Sequence, residues 1–484
     1  MPTPGRASVL LGDLNDFITP SQACVRPLPD KNELASSNAV RSDLPPQPAK
    51  LSLNDCLACS GCVTTAETVL ISEQSTEEFL QGVRDPAKIT VVSVSVPARC
   101  SIAAQYKLSA QQALRKLTTF FKTLGVMYVL DCALGVDIGL KELGKEFVTC
   151  FTSAMQQANA NIPSATSPQK LPLISSSCPG WVCYAEKTHG AYILPHLAKT
   201  KSPQQIMGSL VKHVLAEKLN KRPNDIYHVT VMPCYDKKLE ASRDDFYNAE
   251  YQTRDVDCVL TALEVQELLE LRNLNLADLD EAGDVEVTGQ DAPLDGDVTF
   301  ESLQRASLSA FFAPEGFGSG GHLEYVYRYA ANQLFGIQLK SDVPLQYVAR
   351  NGDFREVALE VNGKRVLVFA QVYGFRNIQN LVRKMKSKTC PYQFVEVMAC
   401  PSGCLNGGGQ IKAVFPETSQ QVLARVTQVH TGARTLLEPS SNPNPVFDHL
   451  YDLLITDGDK STHFFHTEYH AREKPNTNPL LIKW

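Results

Sequence analysis

An α/β protein built on parallel sheets is what this sequence predicts, and two patterns carry the prediction. Continuous apolar, β-branched runs recur along the chain: KITVVSVSV (88–96), VMYVLD (126–131), IYHVTVM (226–232), RVLVFAQV (365–372) and YQFVEVM (392–398). Strands of that kind are buried on both faces. Helical stretches stand between them, so the two element types alternate in the order that builds helix-covered sheets. A length of 484 residues at 43% hydrophobic composition allows two or three domains with large cores.

Along the chain, residues 25–50 are rich in Pro, Ser and charge and read as a linker. DCLACSGCVTTAETVLI (55–71) follows, and the first apolar run begins at Lys88. SAQQALRKLTTFFKTLG (109–125) reads as a helix: Ser109 and Gln112 can close a capping box, Leu114, Leu117, Phe121 and Leu124 fall near one face, and Gly125 stops it. LPLISSSCPGW (171–181) reads as a short strand running into a turn. Residues 273–300 are acidic with scattered Gly and read as a surface insertion. GFGSGG (316–321) lacks the Lys-Ser/Thr of a phosphate loop and reads as a tight turn near the buried site. RNIQNLVRKMKSK (376–388) is a further helix, and beyond 415 the chain reads as a helical or irregular tail. His466 and His470 stand at i, i+4 spacing and read as a polar helix face.

Composition excludes several classes. A net charge of −6 and the lack of a basic stripe with interleaved aromatics argue against a nucleic-acid partner. The N-terminus lacks a basic stretch followed by an apolar one, and no apolar run reaches the roughly 18 residues that span a bilayer, so no membrane partner is expected. The compartment expected is reducing: the cytoplasm, with the nucleus also open. There, the 14 cysteines read as metal or redox sites rather than disulfides.

Cys56, Cys59 and Cys62 form C-x2-C-x2-C, which puts three thiolates on one tight loop and suits three corners of a cubane iron–sulfur cluster. Position 66, where a bacterial ferredoxin run places its fourth cysteine, is Ala66, so the fourth thiolate comes from elsewhere. Cys24 is the nearest candidate, and closing a loop of roughly 30 residues carries only a slowly growing entropy cost. Zinc in tetrahedral geometry is the alternative for the same thiolates. A second set is dispersed: Cys178, Cys234 and Cys400 each follow the C-terminal end of an expected buried strand, with Cys404 one turn beyond Cys400. That edge of an open α/β sheet is where ligands bind. Gly403 and the run Gly407–Gly409 would let backbone approach a cluster closely. Isolated buried cysteines are common core residues, but four in matching contexts are not. Cys100, Cys132, Cys150, Cys183, Cys258 and Cys390 share no ligand spacing and read as packing or surface thiols.

LPLISSSCPGW, VMPCYDKKLE and VEVMACPSGCLNGGGQ, in that order, resemble the three signature segments of the iron-only hydrogenase large subunit. GFGSGGHLEYVYRYA (316–330) looks like its Gly-rich turn before a helix, and FHTEYHA (465–471) like its small-subunit tail. The resemblance implies an iron-only hydrogenase-like α/β fold: two doubly wound parallel-sheet lobes around a buried cluster, with a small N-terminal iron–sulfur segment and a C-terminal tail. The corresponding divisions are 1–87, 88–414 and 415–484. It also implies that Cys178, Cys234, Cys400 and Cys404 hold a 4Fe–4S cluster, that Lys237 matches a lysine contacting a catalytic di-iron unit, and that Glu240 matches a proton-path glutamate. Hydrogenases carry a second cysteine just before the first ligand, where this chain has Ser177. A hydroxyl is far less acidic than a thiol and relays protons poorly, so no catalytic residue is assigned.

The chain is also similar to the eukaryotic branches of that family, which act in cytosolic iron–sulfur assembly or prelamin recognition. LGDLNDFITPSQACVRP followed by DCLACSGC matches the assembly branch, which implies a first 4Fe–4S cluster on Cys24, Cys56, Cys59 and Cys62. The terminal LLIKW places Trp484 as an aromatic anchor for a partner, with Lys483 where an acidic or serine residue is commoner. The expectation is a non-enzymatic carrier with two 4Fe–4S clusters. Its partners would be upstream scaffold proteins and, through Trp484, the cytosolic iron–sulfur targeting complex. An active hydrogenase and a nuclear prelamin-binding protein are the alternatives.

Overall fold

The computed structural model describes residues 65–160, 169–282, 300–309, 319–340, 343–435, 451 and 464–471. Cys24, Cys56, Cys59, Cys62, Lys483 and Trp484, like the linker 25–50, lie outside the described residues. The strands, in chain order, are β1 (Ile89–Val94), β2 (Tyr128–Asp131), β3 (Leu173–Ser175), β4 (Ile226–Met232), β5 (Tyr247–Asn248), β6 (Thr253–Arg254), β7 (Cys258–Thr261), β8 (Val348–Asn351), β9 (Phe354–Val361), β10 (Lys364–Tyr373) and β11 (Phe394–Met398).

Two sheets organise the molecule. The first runs β2-β1-β4-β7 and is parallel throughout, with Val91 opposite Tyr128 on one side and His228 on the other. Both faces are packed: Val91 faces one core with Met207 and Phe300, while Val92 and Val94 face another with Leu114 and Phe121. That double burial is why these strands read as unbroken apolar runs. The second sheet runs β3-β11-β10-β9-β8. Its first three strands are parallel, and it too is covered twice, with Phe369 and Phe394 in one core and Ala370 and Val395 in the other.

The helix expected at 109–125 spans Ala110–Leu124 with its capping box formed and Gly125 at φ 105° as its stop. The helix expected at 376–388 spans Phe375–Lys386, and the tail supplies Ser419–Thr435. Two expectations need correction. The second sheet is not wholly parallel, because β8, β9 and β10 form antiparallel pairs. Asn362 and Gly363, at φ 52° and 75°, close the β9–β10 hairpin, and left-handed conformation at both turn residues matches the twist of the strands. His466 and His470 are not on a helix face: residues 467–471 have no regular secondary structure, and His466 pairs with Thr200 as an isolated bridge. Backbone bonds from Lys201 to Phe465 and from Thr467 to Lys199 draw this stretch out as a strap.

Candidate metal centre

In the first sheet the chain leaves β1 toward β2 on one side and later returns to β4 on the other. The segments after β1 and β4 therefore diverge, which opens a crevice at the C-terminal ends of the strands. Pro233 and Cys234 follow β4 there. The second sheet turns its own strand ends toward the same place: Ser177 and Cys178 follow β3, and Cys400 follows β11. Cys404 lies on the single turn Gly403–Asn406. The crevice is thus shared by two sheets, one supplying a single cysteine and the other three.

Burial acts alike on all four thiols. It pushes Cys178 up to about 12 and holds Cys234, Cys400 and Cys404 above the usual thiol range. After burial come neighbouring charges: Asp236 and Cys404 act on Cys178, and Asp236, Cys178, Cys400 and Cys404 act on Cys234. Cys178 and Cys234 are buried and Cys400 and Cys404 half-buried, and as thiolates the four would repel one another unless a positive body lay between them. Among the described residues no three His, Cys, Asp or Glu side chains are drawn to the spacing of one metal ion. A cubane bound at its corners by four separate thiolates fits this donor set.

The backbone around the thiols is tightly packed. A Cβ on Gly407 would lie 2.3 Å from the Pro233 carbonyl oxygen, and one on Gly409 would lie 2.6 Å from Thr261. Gly409 donates its N–H to the Pro233 carbonyl at 2.9 Å. The loop after Cys404 therefore sits directly on the loop that carries Cys234. Gly403 holds φ 70°, and a Cβ there would meet Ser319 Oγ at 2.0 Å. Ser319 Oγ accepts the Cys404 N–H at 3.0 Å, so the turn expected at 316–321 does lie at the site where it is described.

Each of the three serines before Cys178 is hydrogen-bonded, two of them to one ring. Ser176 accepts the Cys178 N–H at 3.1 Å and donates to the Val397 carbonyl, which ties β3 to β11. Ser175 and Ser177 flank one imidazole, with Ser175 Oγ 2.7 Å from His322 Nδ1 and Ser177 Oγ 3.1 Å from His322 Nε2. Burial, then the Lys237 charge, lowers His322 to about 4, so it is neutral at pH 7 and each ring nitrogen is matched by a hydroxyl. His322 was absent from the sequence reading. Its one sequence signal is its place just after the Gly320–Gly321 turn, at the start of the helix His322–Phe335.

Lys237 and Glu240 form an ion pair at 2.8 Å. Burial opposes the lysine charge, but Glu240 outweighs it and keeps Lys237 above the usual range. Ser202 and Gln204 each donate to Glu240 at 3.0 Å. Beside Cys404 is a cavity of about 70 Å³ lined by Ser177, Lys237, Cys132, Met232 and His430, among others. It has room for several water-sized groups. Cys132, read as packing, lines this cavity; Cys100 and Cys258 are packing thiols as expected.

Two α/β lobes whose strand ends converge on four thiols, two buried and two half-buried, define a hydrogenase-type scaffold. Residues 88–408 match the family model described as iron only hydrogenase large subunit, C-terminal domain, and the chain belongs to that family. Over its whole length it is 46% identical to rat cytosolic iron-sulfur assembly component 3 and 47% identical to the mouse protein of that name, with 100% of both chains covered in each case. Protein NAR1 of Arabidopsis thaliana is 42% identical, with 97% of each chain covered. A solved variant of FeFe-hydrogenase HydA1 from Chlamydomonas reinhardtii superimposes with TM-score 0.64 at 25% identity, covering 82% of this chain and 99% of the other. The expected iron-only hydrogenase-like fold is therefore borne out.

Proposed function

We propose that the chain is a non-enzymatic 4Fe–4S carrier and adaptor in cytosolic iron–sulfur protein assembly, receiving a cluster from an upstream scaffold and docking on a late targeting complex. The observation that carries this reading is the pair of features on either side of one peptide bond. Cys178 is one of four convergent thiols, while Ser177 is a hydroxyl held against a neutral imidazole. Similarity to relatives named cytosolic assembly components along the entire chain supports the same role and a cytoplasmic location.

In this reading Cys178, Cys234, Cys400 and Cys404 hold an inner 4Fe–4S cluster that cross-links the two lobes. When bound, that cluster supplies the positive charge that lets four thiolates coexist and ties their loops together. Lys237 adds a cation beside Cys404, and Ser319 fixes the Cys404 backbone. Cys24, Cys56, Cys59 and Cys62 hold the first cluster, the exchangeable one, and Trp484 is the docking anchor.

The deciding measurement is iron, acid-labile sulfide and zinc per chain, on protein purified without oxygen. About eight irons with matching sulfide supports two cubanes. The cavity beside Cys404 gives the hydrogenase alternative one specific foothold, and iron in clear excess of sulfide would favour it. Stoichiometric zinc without sulfide would end both readings. Cys24→Ala is expected to speed chelator release of about half the iron and spare the rest; loss of all the iron together would contradict two independent sites. Removal of Trp484 is expected to abolish capture by the targeting complex while iron content stays unchanged.

A further inference from the structure

The strand ends opposite the thiols border a second feature. A groove of about 420 Å³ opens between the end of the helix Ala133–Asn159, the segment entering β3 and the end of the helix Phe375–Lys386. Leu171, Pro172 and Met385 give it apolar walls, and Tyr192, 40% exposed, stands on it. Leu171–Pro172 precedes β3 and Cys390 precedes β11, whereas Cys178 and Cys400 follow the same two strands. The groove and the metal centre therefore sit at opposite edges of the second sheet.

Its border is positively charged in a chain whose net charge is −6. Lys170 and Lys388, from different elements, both line it. Between Phe375 and Val395 the sequence carries Arg376, Arg383, Lys384, Lys386 and Lys388 and no Asp or Glu. Lys384 is occupied, donating to the Tyr392 hydroxyl at 3.2 Å and lying 5.3 Å from the Phe354 ring centre. The nearby carboxylate of Glu356 is taken by Arg350 and Tyr392. Arg383, Lys386 and Lys388 are exposed to solvent. The carboxylate of Glu146, next to the lining residue Gln169, is taken by Gln169 and by the backbone N–H groups of Lys199 and Thr200. An apolar slot edged by Lys170 and Lys388 is complementary to an acidic segment carrying a large apolar side chain.

We propose that this groove docks a protein partner through such a segment: the apolar side chain seats against Pro172 and Met385, and flanking carboxylates pair with Lys170 and Lys388. A nucleic acid fits less well, because the described lining offers two rings, Tyr192 and the buried His196, rather than an exposed row on which bases could stack. Rim ion pairs are individually weak, so the contact is salt-sensitive and transient. This surface lies at the other strand ends from Cys178, Cys234, Cys400 and Cys404, and its failure would leave the cluster reading untouched.

The test uses the full chain with its iron in place and a fluorescein-labelled synthetic peptide, a Leu-Phe pair within a run of Asp and Glu, followed by anisotropy. Saturable binding is expected, weakened about tenfold by Lys170→Glu combined with Lys388→Glu, a loss consistent with two rim pairs. Ala158→Trp, at an exposed position bordering the groove, is expected to block binding by filling the slot with every cation still in place. Lys388→Arg should retain it. Iron and sulfide per chain identify variants that remain folded. No binding by the native chain, undiminished binding to Ala158→Trp, or equal affinity for a peptide with Ser-Ser in place of Leu-Phe would overturn the proposal. So would equal competition by a single-stranded oligonucleotide, which would make the surface a general polyanion patch.

Discussion

Against the first sheet the buried polar groups are mostly ion pairs: Arg99 on Asp131 at 2.8 Å, Lys201 on Asp255 at 3.4 Å, Lys212 on Asp257 at 2.6 Å and Lys238 on Glu264 at 2.6 Å. Against the second, the groups beside the site form a hydrogen-bonded set: Ser175 and Ser177 on His322, and Glu396 accepting from the Tyr373 hydroxyl at 2.7 Å and the Leu323 N–H at 2.8 Å. His228, between Ser93 and the Asp255 carbonyl, is the first lobe's neutral exception. The difference sets what each lobe responds to. Each ion pair offsets the burial of its partner's charge and is most sensitive to removal of one member. The second lobe's set depends on where protons sit.

The largest expected effect is in the first lobe. Arg99 is fully buried, and its guanidinium offsets the burial that pushes Asp131 above the usual carboxylate range. Arg99→Met leaves that carboxylate without its cation and is expected to cost about 3–5 kcal/mol in chemical denaturation. Adding Asp131→Leu should recover much of the loss, because a well-packed apolar pair avoids the desolvation penalty. If the double variant is as unstable as the single one, the pair acts through something other than charge compensation.

Next come opposite pH slopes in the second lobe. Burial raises Glu396 to about 7, so between 4.5 and 7 the folded state binds more protons than the unfolded state, and stability falls as pH rises. Burial lowers His322 to about 4, so between 4 and 6.5 the unfolded state binds more protons, and stability falls as pH falls. Relative to native protein, Glu396→Gln should gain stability as pH rises from 5 to 7, and His322→Gln should gain it as pH falls from 6.5 to 4. Each shift amounts to at most about 3 kcal/mol. Denaturant midpoints of the three proteins across pH check this. Parallel curves would mean that both groups exchange protons with solvent freely.

Much of the fold was legible because it rests on short-range rules. Ser109 and Gln112 are three residues apart, and the box they form needs nothing from the rest of the chain. The apolar runs became strands because both sheets are covered twice. The β9–β10 hairpin was legible too, since Asn362-Gly363 is a strong turn signal, but a reading tuned to parallel strands passes over it. The dispersed thiols were found by a shared context, each close behind a strand end. His322 has no such context: it lies 145 residues beyond Ser177 in the chain and meets it only because the helix His322–Phe335 packs on the second sheet, which also carries β3. Cys132 faces the cavity for the same long-range reason. The strap at 464–471 read as helical because i, i+4 spacing cannot tell a helix face from two histidines held separately, one against Glu142 and the other against Asp245.

The smallest effect tests how the two lobes are joined. Gly407 belongs to the loop after Cys404, and a Cβ there would press 2.3 Å from the Pro233 carbonyl oxygen, one residue before Cys234. Its own backbone is ordinary, at φ −63°, so Gly407→Ala brings no conformational strain, only a clash. One loop must retreat, which moves Cys404 relative to Cys234 while every thiol remains. A cost of about 1–3 kcal/mol is expected from such overpacking. Under the four-thiol reading, a chelator should also remove the inner iron faster. Gly432→Ala is the matched control: nothing lies within 4 Å of its Cβ position, and in the helix Ser419–Thr435 alanine should stabilise by about 0.5–1 kcal/mol. If Gly407→Ala releases iron no faster than Gly432→Ala, the contact between the two loops does not govern how the lobes grip what lies between them.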